Sequence, residues 1–362
     1  MAKTVMTLDS GGTNFVFSAI SDEKEVVKPI VLSAKCSSLD EMLKMIVEGF
    51  NKIQNNLKVK PSAISFSFPG PAEYELGIIG DLQNLPLFRG GVALGPMLQD
   101  VFKIPVFINN DGDLFAYGEA KAGLLPYVNN ELEKHKSPKR YKNLLGVTFG
   151  TGFGGGIVSN GEMFPGDNSA QAEINRFHDY YNVNYSSEES TTIRAIKRFY
   201  AENIGIDPQD CKLEPKDIYE VGIGKKDGDK NASINAFKKF AKSAGNALAN
   251  ASSLTDSLVV LGGGVARAWS LFLEDLVNAM NYPYDLPYTN EKLTRMEVKV
   301  YNLEDKEGFK NFLKGKKQTI KVPYSNRTIT YDSEKRIGVG VSKLGTEKAI
   351  ALGAYYYAIN HL

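Results

Sequence analysis

Four stretches of this 362-residue chain carry side chains or bare backbone that can do chemistry. Leu8-Asp9-Ser10-Gly11-Gly12-Thr13-Asn14 sets a carboxylate at the end of an apolar run, directly before two glycines. Asn109-Asn110-Asp111-Gly112-Asp113 sets amides and carboxylates after another apolar run. The stretch GVTFGTGFGGGIV, from Gly146 to Val158, holds six glycines, and Gly262-Gly263-Gly264 closes a further apolar run.

Glycine permits positive φ and lets backbone approach a ligand closely. Successive N–H groups then form a concave anion site. Two such hairpin tips, at Asp9-Ser10-Gly11-Gly12-Thr13 and Gly150-Thr151-Gly152, would grip a polyphosphate from both sides of a cleft. Either tip alone reads better as an ordinary tight hairpin, where glycine is expected. Two tips in matching places, with Gly262–Gly264 between a strand and a helix, favour phosphate. Gly150-x-Gly152-x-x-Gly155 also has the spacing of a dinucleotide fingerprint, which needs a helix directly after its glycines. Here Ile157-Val158-Ser159-Asn160-Gly161 reads as strand and turn, and no Gly-Lys-Ser/Thr follows, so neither a Rossmann turn nor a Walker loop is expected.

Asp9 can hold hydrated Mg²⁺, which keeps several waters and uses one or two carboxylates. The alternative is a turn aspartate bonding its own backbone. Asp111 follows the strand 106–109, at the carboxyl end where open α/β sheets bind ligands. It can take a proton from a substrate hydroxyl that Asn110 orients, work worth about 10²–10⁴-fold. The alternative is that Asp111 or Asp113 caps a helix beginning at Leu114; Asp113 is assigned to that cap.

The elements that position these residues follow from periodicity. Strands are expected at 4–8, 15–20 and 26–32, joined by tight turns. A helix follows with Leu39, Leu43, Ile46, Phe50 and Ile53 on one face, opened by a capping box of Ser38 and Glu41. A strand at 64–68, a helix at 96–102, the strand 106–109 and a helix at 114–123 complete the first half. The layout of strand, glycine turn and strand then starts again at 144–159. Downstream come a helix at 234–254, a strand at 258–261 and a helix from Ala266. One layout used twice predicts an internal duplication, each half a mixed sheet with helices. The charged segment 134–142 reads as a linker, and residues 281–340, with a hairpin at 319–322 and 328–331, read as an insertion.

At this length two domains are expected. Lys and Arg number 43 against 42 Asp and Glu, so no global field draws the chain to nucleic acid or an anionic membrane. Cys36 and Cys211 are isolated and suit a reducing compartment. No apolar run spans a bilayer and no signal peptide is evident, so a cytoplasmic α/β protein is expected.

These stretches together resemble the ROK sugar kinases, within the actin/hexokinase-like ATPase superfamily. Leu8–Asn14 resembles the family's first phosphate motif, and Gly150-Thr151-Gly152-Phe153-Gly154-Gly155-Gly156 its second. Pro69-Gly70-Pro71 and Asn84-Leu85-Pro86 resemble its sugar-side loops, and Asn110-Asp111 its sugar-binding Asn and catalytic Asp. Val259 to Ala266, through Gly262-Gly263-Gly264, resembles its adenosine motif. The resemblance implies two actin-like (ribonuclease H-like) domains around a central cleft: 1–122 completed by a C-terminal helix at 345–362, and 123–344. It implies transfer of the γ-phosphoryl of ATP to a sugar hydroxyl, with Asp111 as base and Asp9 holding Mg²⁺ through water. A homodimer is a further expectation.

One motif departs from the family. Its Glu-x-Gly-His, whose His also joins a cysteine cluster around zinc, is matched here by Glu173-Ile174-Asn175-Arg176, with His178 two residues on. No cysteine follows in 182–190, so no structural zinc is expected. The family's last sugar-contacting Glu corresponds to Glu188 or Glu189. Arg176 favours a carboxylate or phosphate on the substrate; alternatively it pairs with a neighbouring carboxylate and His178 takes the family's role. The competing function is a catalytically weak sugar- or nucleotide-binding regulatory protein. The family's repressors carry an N-terminal DNA-binding motif; with the first strand read at 4–8, no such motif is expected here.

Overall fold

The computed structural model describes residues 3–11 and 13–362; Gly12, assigned above to the first phosphate tip, lies outside the described residues. The chain divides into two compact units. One comprises Met1–Ala122, Glu162–Gln171 and Leu344–Leu362; the other comprises Gly123–Gly161 and Ala172–Lys343.

In the first unit, β1 (Thr4–Ser10) pairs antiparallel with β2 (Asn14–Ser21), Asp9 opposite Val16. β1 runs parallel to β3 (Ala63–Ser67), and β3 to β4 (Val106–Asn109). The third expected strand is split into Lys24–Glu25 and Ile30–Ser33. Both faces of the sheet are covered, which is why β1 reads as a continuous apolar run rather than an alternating one. Helix α1 (Leu39–Asn56) packs Ile46, Phe50 and Ile53 with Phe17 and Phe66 on one face. On the other, Leu352, Tyr355 and Ala358 of the C-terminal helix Thr346–Asn360 pack with Val5, Ile20 and Ala63. The expected capping box on α1 is half formed. Ser38 accepts the Glu41 N–H at 3.2 Å, but the Glu41 carboxylate takes the Ser37 N–H, at 2.7 Å.

The helix expected from Leu114 begins earlier, as α2 (Asp111–Lys121). It crosses the C-terminal helix backbone to backbone. A Cβ on Gly118 would stand 1.9 Å from the Ala349 carbonyl oxygen, and one on Gly353 would stand 2.0 Å from that of Leu114. This contact fixes the start of α2, where Asp111 sits.

The second unit repeats the plan. β5 (Leu144–Phe149) pairs antiparallel with β6 (Phe153–Ser159), then parallel with β7 (Leu258–Gly262). Residues expected to form an insertion supply two more strands of this sheet. β8 (Lys299–Asn302) pairs with β9 (Arg336–Val341), and β9 with β7, all parallel. Helix α3 (Ile193–Ile204) and α4 (Lys230–Thr255) cover it, with Phe237, Phe240, Ala244 and Leu248 packed among Leu145, Val147 and Phe149. The hairpin at Lys317–Lys321 and Thr328–Asp332 forms as expected, its root held by buried Arg336 pairing with Asp332 at 2.7 Å. Leu124–Lys134 is a helix that sequence reading passed over. The helix expected from Ala266 is a 3-10 turn, Val265–Leu271, followed by a helix at Leu273–Asn281. The architecture is α/β, two mixed sheets of actin-like plan.

Candidate active site

In the first unit, β1, β3 and β4 are parallel, so their carboxyl ends lie along one edge of the sheet. That edge carries Asp9 and Asn110-Asp111. β1 is buried from Thr4 to Leu8 and emerges at Asp9. The Ser10 hydroxyl donates to the Ser67 carbonyl at 3.0 Å and ties the hairpin to the end of β3. Gly11 lies where a Cβ would come within 2.9 Å of the Asn14 carbonyl oxygen. Thr13 and Asn14 are exposed beyond it.

Asn110 is the cap of α2, in place of Asp111 or Asp113. Its Oδ1 accepts the Gly112 N–H at 2.8 Å, and its Nδ2 donates to the Tyr74 hydroxyl at 3.3 Å. Tyr74 in turn donates to the Phe68 carbonyl at 2.8 Å. Asn110 is therefore braced at both ends and keeps one amide proton for a ligand. Asp113, assigned to the cap from sequence, is instead buried within α2 and accepts a hydrogen bond from Gln171. Asp111 is left at the helix start with its side chain outward, its Oδ1 accepting the Gly112 N–H at 2.9 Å.

Asp111 and Asp9 both keep exposed surface, yet the protein atoms packed around each carboxylate displace part of its water. That desolvation raises the Asp111 pKa, only partly opposed by the Gly112 and Asp111 amides. It also raises that of Asp9, with further contributions from the Glu347 and Asp111 carboxylates. Three acids thus share one region of negative potential, which favours a cation. Among the described residues no group of three or more His, Cys, Asp or Glu is set to cage a metal ion. A hydrated ion anchored through Asp9 fits that donor set. Asn84 stands exposed on a loop closed by the Phe88 N–H bonding Leu85, with Leu82, Leu85 and Phe88 buried beneath it.

In the second unit, β5 and β7 are parallel with Thr148 beside Gly262, so the Gly150-Thr151-Gly152 turn and Gly262-Gly263-Gly264 share a sheet edge. Their glycines are there for different reasons. Gly263 has φ +81, and a Cβ on it would stand 2.2 Å from the Phe149 carbonyl oxygen, so packing alone demands glycine. Gly150 and Gly264 would meet nothing within 4 Å, and neither has positive φ. Positive φ, expected from sequence as one use of these glycines, is found at Gly263 and not at Gly150 or Gly264. What remains is bare backbone facing open space. The Gly150 carbonyl accepts the Ile193 N–H at 3.0 Å, which ties the turn to the start of α3.

Glu188 and Glu189 diverge. The Glu188 Oε2 accepts the Phe153 N–H at 3.3 Å, directly after the turn, whereas the Glu189 carboxylate pairs with Arg194, at 3.6 Å. Arg194 also reaches Glu188 at 3.6 Å. Tyr74 and Arg194 were missed from sequence, and nothing in the sequence signals either. Glu173 and Arg176 are exposed on the 3-10 turn Ile174–Arg176 and its cap. Among the described residues no carboxylate pairs with Arg176 within 4.0 Å. His178 is exposed, its Nδ1 2.8 Å from the Val183 carbonyl oxygen, so it braces its own loop.

Comparison with known proteins assigns the family. Residues 5–309 match the ROK family. A glucokinase from Parabacteroides distasonis, known by crystal structure, is 50% identical, with a TM-score of 0.92 over 99% of this chain and 98% of that one. The N-acetyl-D-glucosamine kinase of Photobacterium profundum is 25% identical over 285 residues, 74% of this chain and 86% of its own. A ROK family glucokinase from Streptomyces griseus, solved with glucose and AMPPNP, shares the fold at 16% identity, with a TM-score of 0.59 over 98% and 99%. Among the described residues no helix is long and apolar enough to cross a membrane. The chain belongs to the ROK family and is glucokinase-like.

Proposed function

We propose that this ROK sugar kinase transfers the γ-phosphoryl group of ATP to a hydroxyl of a hexose, glucose first among them. The observation that carries the reading is Asp111, held outward at the start of α2 with Asn110 fixed beside it. Phosphoryl transfer needs positioning and charge neutralisation more than covalent help. Asp111 accepts the hydroxyl proton at its free carboxylate oxygen, and the spare amide proton of Asn110 orients the sugar. Asp9 would anchor Mg²⁺ through water, which would supply charge neutralisation at the transferring group. The amides of Gly11, Gly12 and Thr13, and those of Gly150, Thr151 and Gly152, take phosphate oxygens; Gly262, Gly263 and Gly264 leave room for the adenosine.

The likeness to the Parabacteroides distasonis glucokinase supports glucose, and that to the Photobacterium profundum kinase supports N-acetyl-D-glucosamine as the second candidate. Asn84, Glu173, Arg176, His178 and Glu189 are the proposed sugar-side set. Arg176, with no carboxylate partner among the described residues, suits an anionic substituent. Its presence where the family has histidine also favours a second reading, a catalytically weak sugar- or nucleotide-binding protein. We further propose a cytoplasmic homodimer without structural zinc. A coupled ADP-release assay with Mg·ATP against neutral hexoses, N-acetyl sugars and sugar acids tests the reading. Turnover of glucose supports it, turnover confined to sugar acids moves the substrate to the class Arg176 suits, and no turnover at all favours the binding protein.

A further inference from the structure

Between Phe177 and Ser187 the chain leaves regular structure; one bridge, His178 with Ser186, interrupts the loop. Backbone polar groups in such a segment need partners from elsewhere. They converge on Asp179, which is 3% exposed. Its Oδ1 accepts the N–H groups of Tyr181 at 2.8 Å and Asn182 at 3.0 Å. Its Oδ2 accepts the hydroxyl of Ser243, a buried residue of α4, at 3.2 Å. Its own N–H donates to the Tyr185 carbonyl at 2.9 Å. Among the described residues no lysine or arginine pairs with it, so dipoles alone satisfy this buried carboxylate.

The loop this hub closes joins two parts of the sugar side. The Ser187 N–H donates to the Phe177 carbonyl at 2.7 Å, and its hydroxyl donates to the Ile174 carbonyl at 2.7 Å. The turn bearing Glu173 and Arg176 is thereby fastened to the turn bearing Glu188. We propose that Asp179 is the positioning residue of the sugar-side loop, fixing Glu173, Arg176 and Glu188 against α4 by hydrogen bonds. This rests on the reading of that loop as the sugar's, given under the proposed function.

Two variants separate positioning from folding. Asp179→Ala strands two amides and a hydroxyl. It is expected to raise the sugar KM by about tenfold or more, as loss of charge-assisted bonds implies, while the ATP KM rises less, only as far as Glu188 shifts from the Phe153 N–H. Asp179→Asn keeps an acceptor for both amides and a donor for Ser243, and is expected to restore most of the sugar KM. An alanine variant with unchanged sugar KM, or with the ATP KM rising as much as the sugar KM, overturns the proposal. If that variant does not fold, Ser243→Ala cuts only the tether to α4 and must raise the sugar KM; an unchanged KM there also overturns it. Hydrogen exchange of the variants in the absence of sugar provides a readout that needs no turnover. Faster exchange confined to 177–187 supports the hub even if the wild type turns over no sugar, an outcome that would sink the proposed function instead. Unchanged exchange sinks the hub.

Discussion

The Glu188 carboxylate accepts the Phe153 N–H at 3.3 Å, so a side chain of the 3-10 turn Ser187–Ser190 holds the residue that follows the Gly150-Thr151-Gly152 turn. The Phe149 and Phe153 rings stack beneath that turn with centroids 5.1 Å apart, which leaves little slack in its base. Glu188→Ala removes the acceptor and the pairing with Arg194 together. The ATP KM is expected to rise several-fold with the Tm nearly unchanged. Glu188→Gln keeps an acceptor and should fall between. Steady-state kinetics with ATP varied at saturating sugar checks this.

Asp111 predicts the pH profile. Desolvation by the surrounding protein holds its pKa above the ordinary 3.8, and a general base must be ionised. Activity is therefore expected to fall as pH drops through that raised value rather than near 3.8. The stability consequence has the opposite sense. A carboxyl whose folded pKa is raised costs stability while ionised, and the cost disappears as pH falls through the folded pKa. Asp111→Asn is thus expected to melt higher than wild type at neutral pH, the advantage shrinking toward acid. Melting curves across pH decide it.

The glycines of the second unit separate into two classes by substitution. Gly263→Ala forces positive φ on a side chain that also collides with the Phe149 backbone. It is expected to cost about 1–3 kcal/mol or more of stability. Gly150→Ala meets no protein atom within 4 Å and should change stability by less than about 0.5 kcal/mol. Its ATP KM should nonetheless rise, because the added methyl occupies space left for phosphate. Denaturation and kinetics on both variants test the contrast.

Dialysis against a strong chelator, followed by return of Mg²⁺ alone, is expected to restore full activity and leave the Tm unchanged. Permanent loss of either, recovered by zinc, would contradict the hydrogen-bonded account of the 177–187 loop.

Much of this arrangement was legible in the residues. β4 was readable to its ends because Val106–Asn109 is bounded by Pro105 and by a capping sequence. The hairpins were readable because apolar runs flank their glycines. The start of α2 was not. Asn110, Asp111 and Asp113 can each cap, and the choice of Asn110, which accepts the Gly112 N–H and reaches the Tyr74 hydroxyl, shows only in the fold. Leu124–Lys134 carries Leu124, Leu125, Val128 and Leu132 at helical spacing, but Pro126 in its first turn resembles a break. β8 and β9 are short buried strands set among polar and aromatic residues, and Arg336 begins one of them fully buried. No local rule assigns a buried arginine to a strand; its partners, Asp332 and the Phe312 carbonyl, appear only in the fold. Asp179 was invisible for the same reason.

The most direct test of the central claim is ADP release with Mg·ATP and glucose, compared between wild type and Asp111→Asn. The account predicts sugar-dependent turnover in the wild type and a loss of about 10²–10⁴-fold in the variant, with glucose binding retained. Turnover unchanged in Asp111→Asn, or no release with any hexose in the wild type, would contradict it.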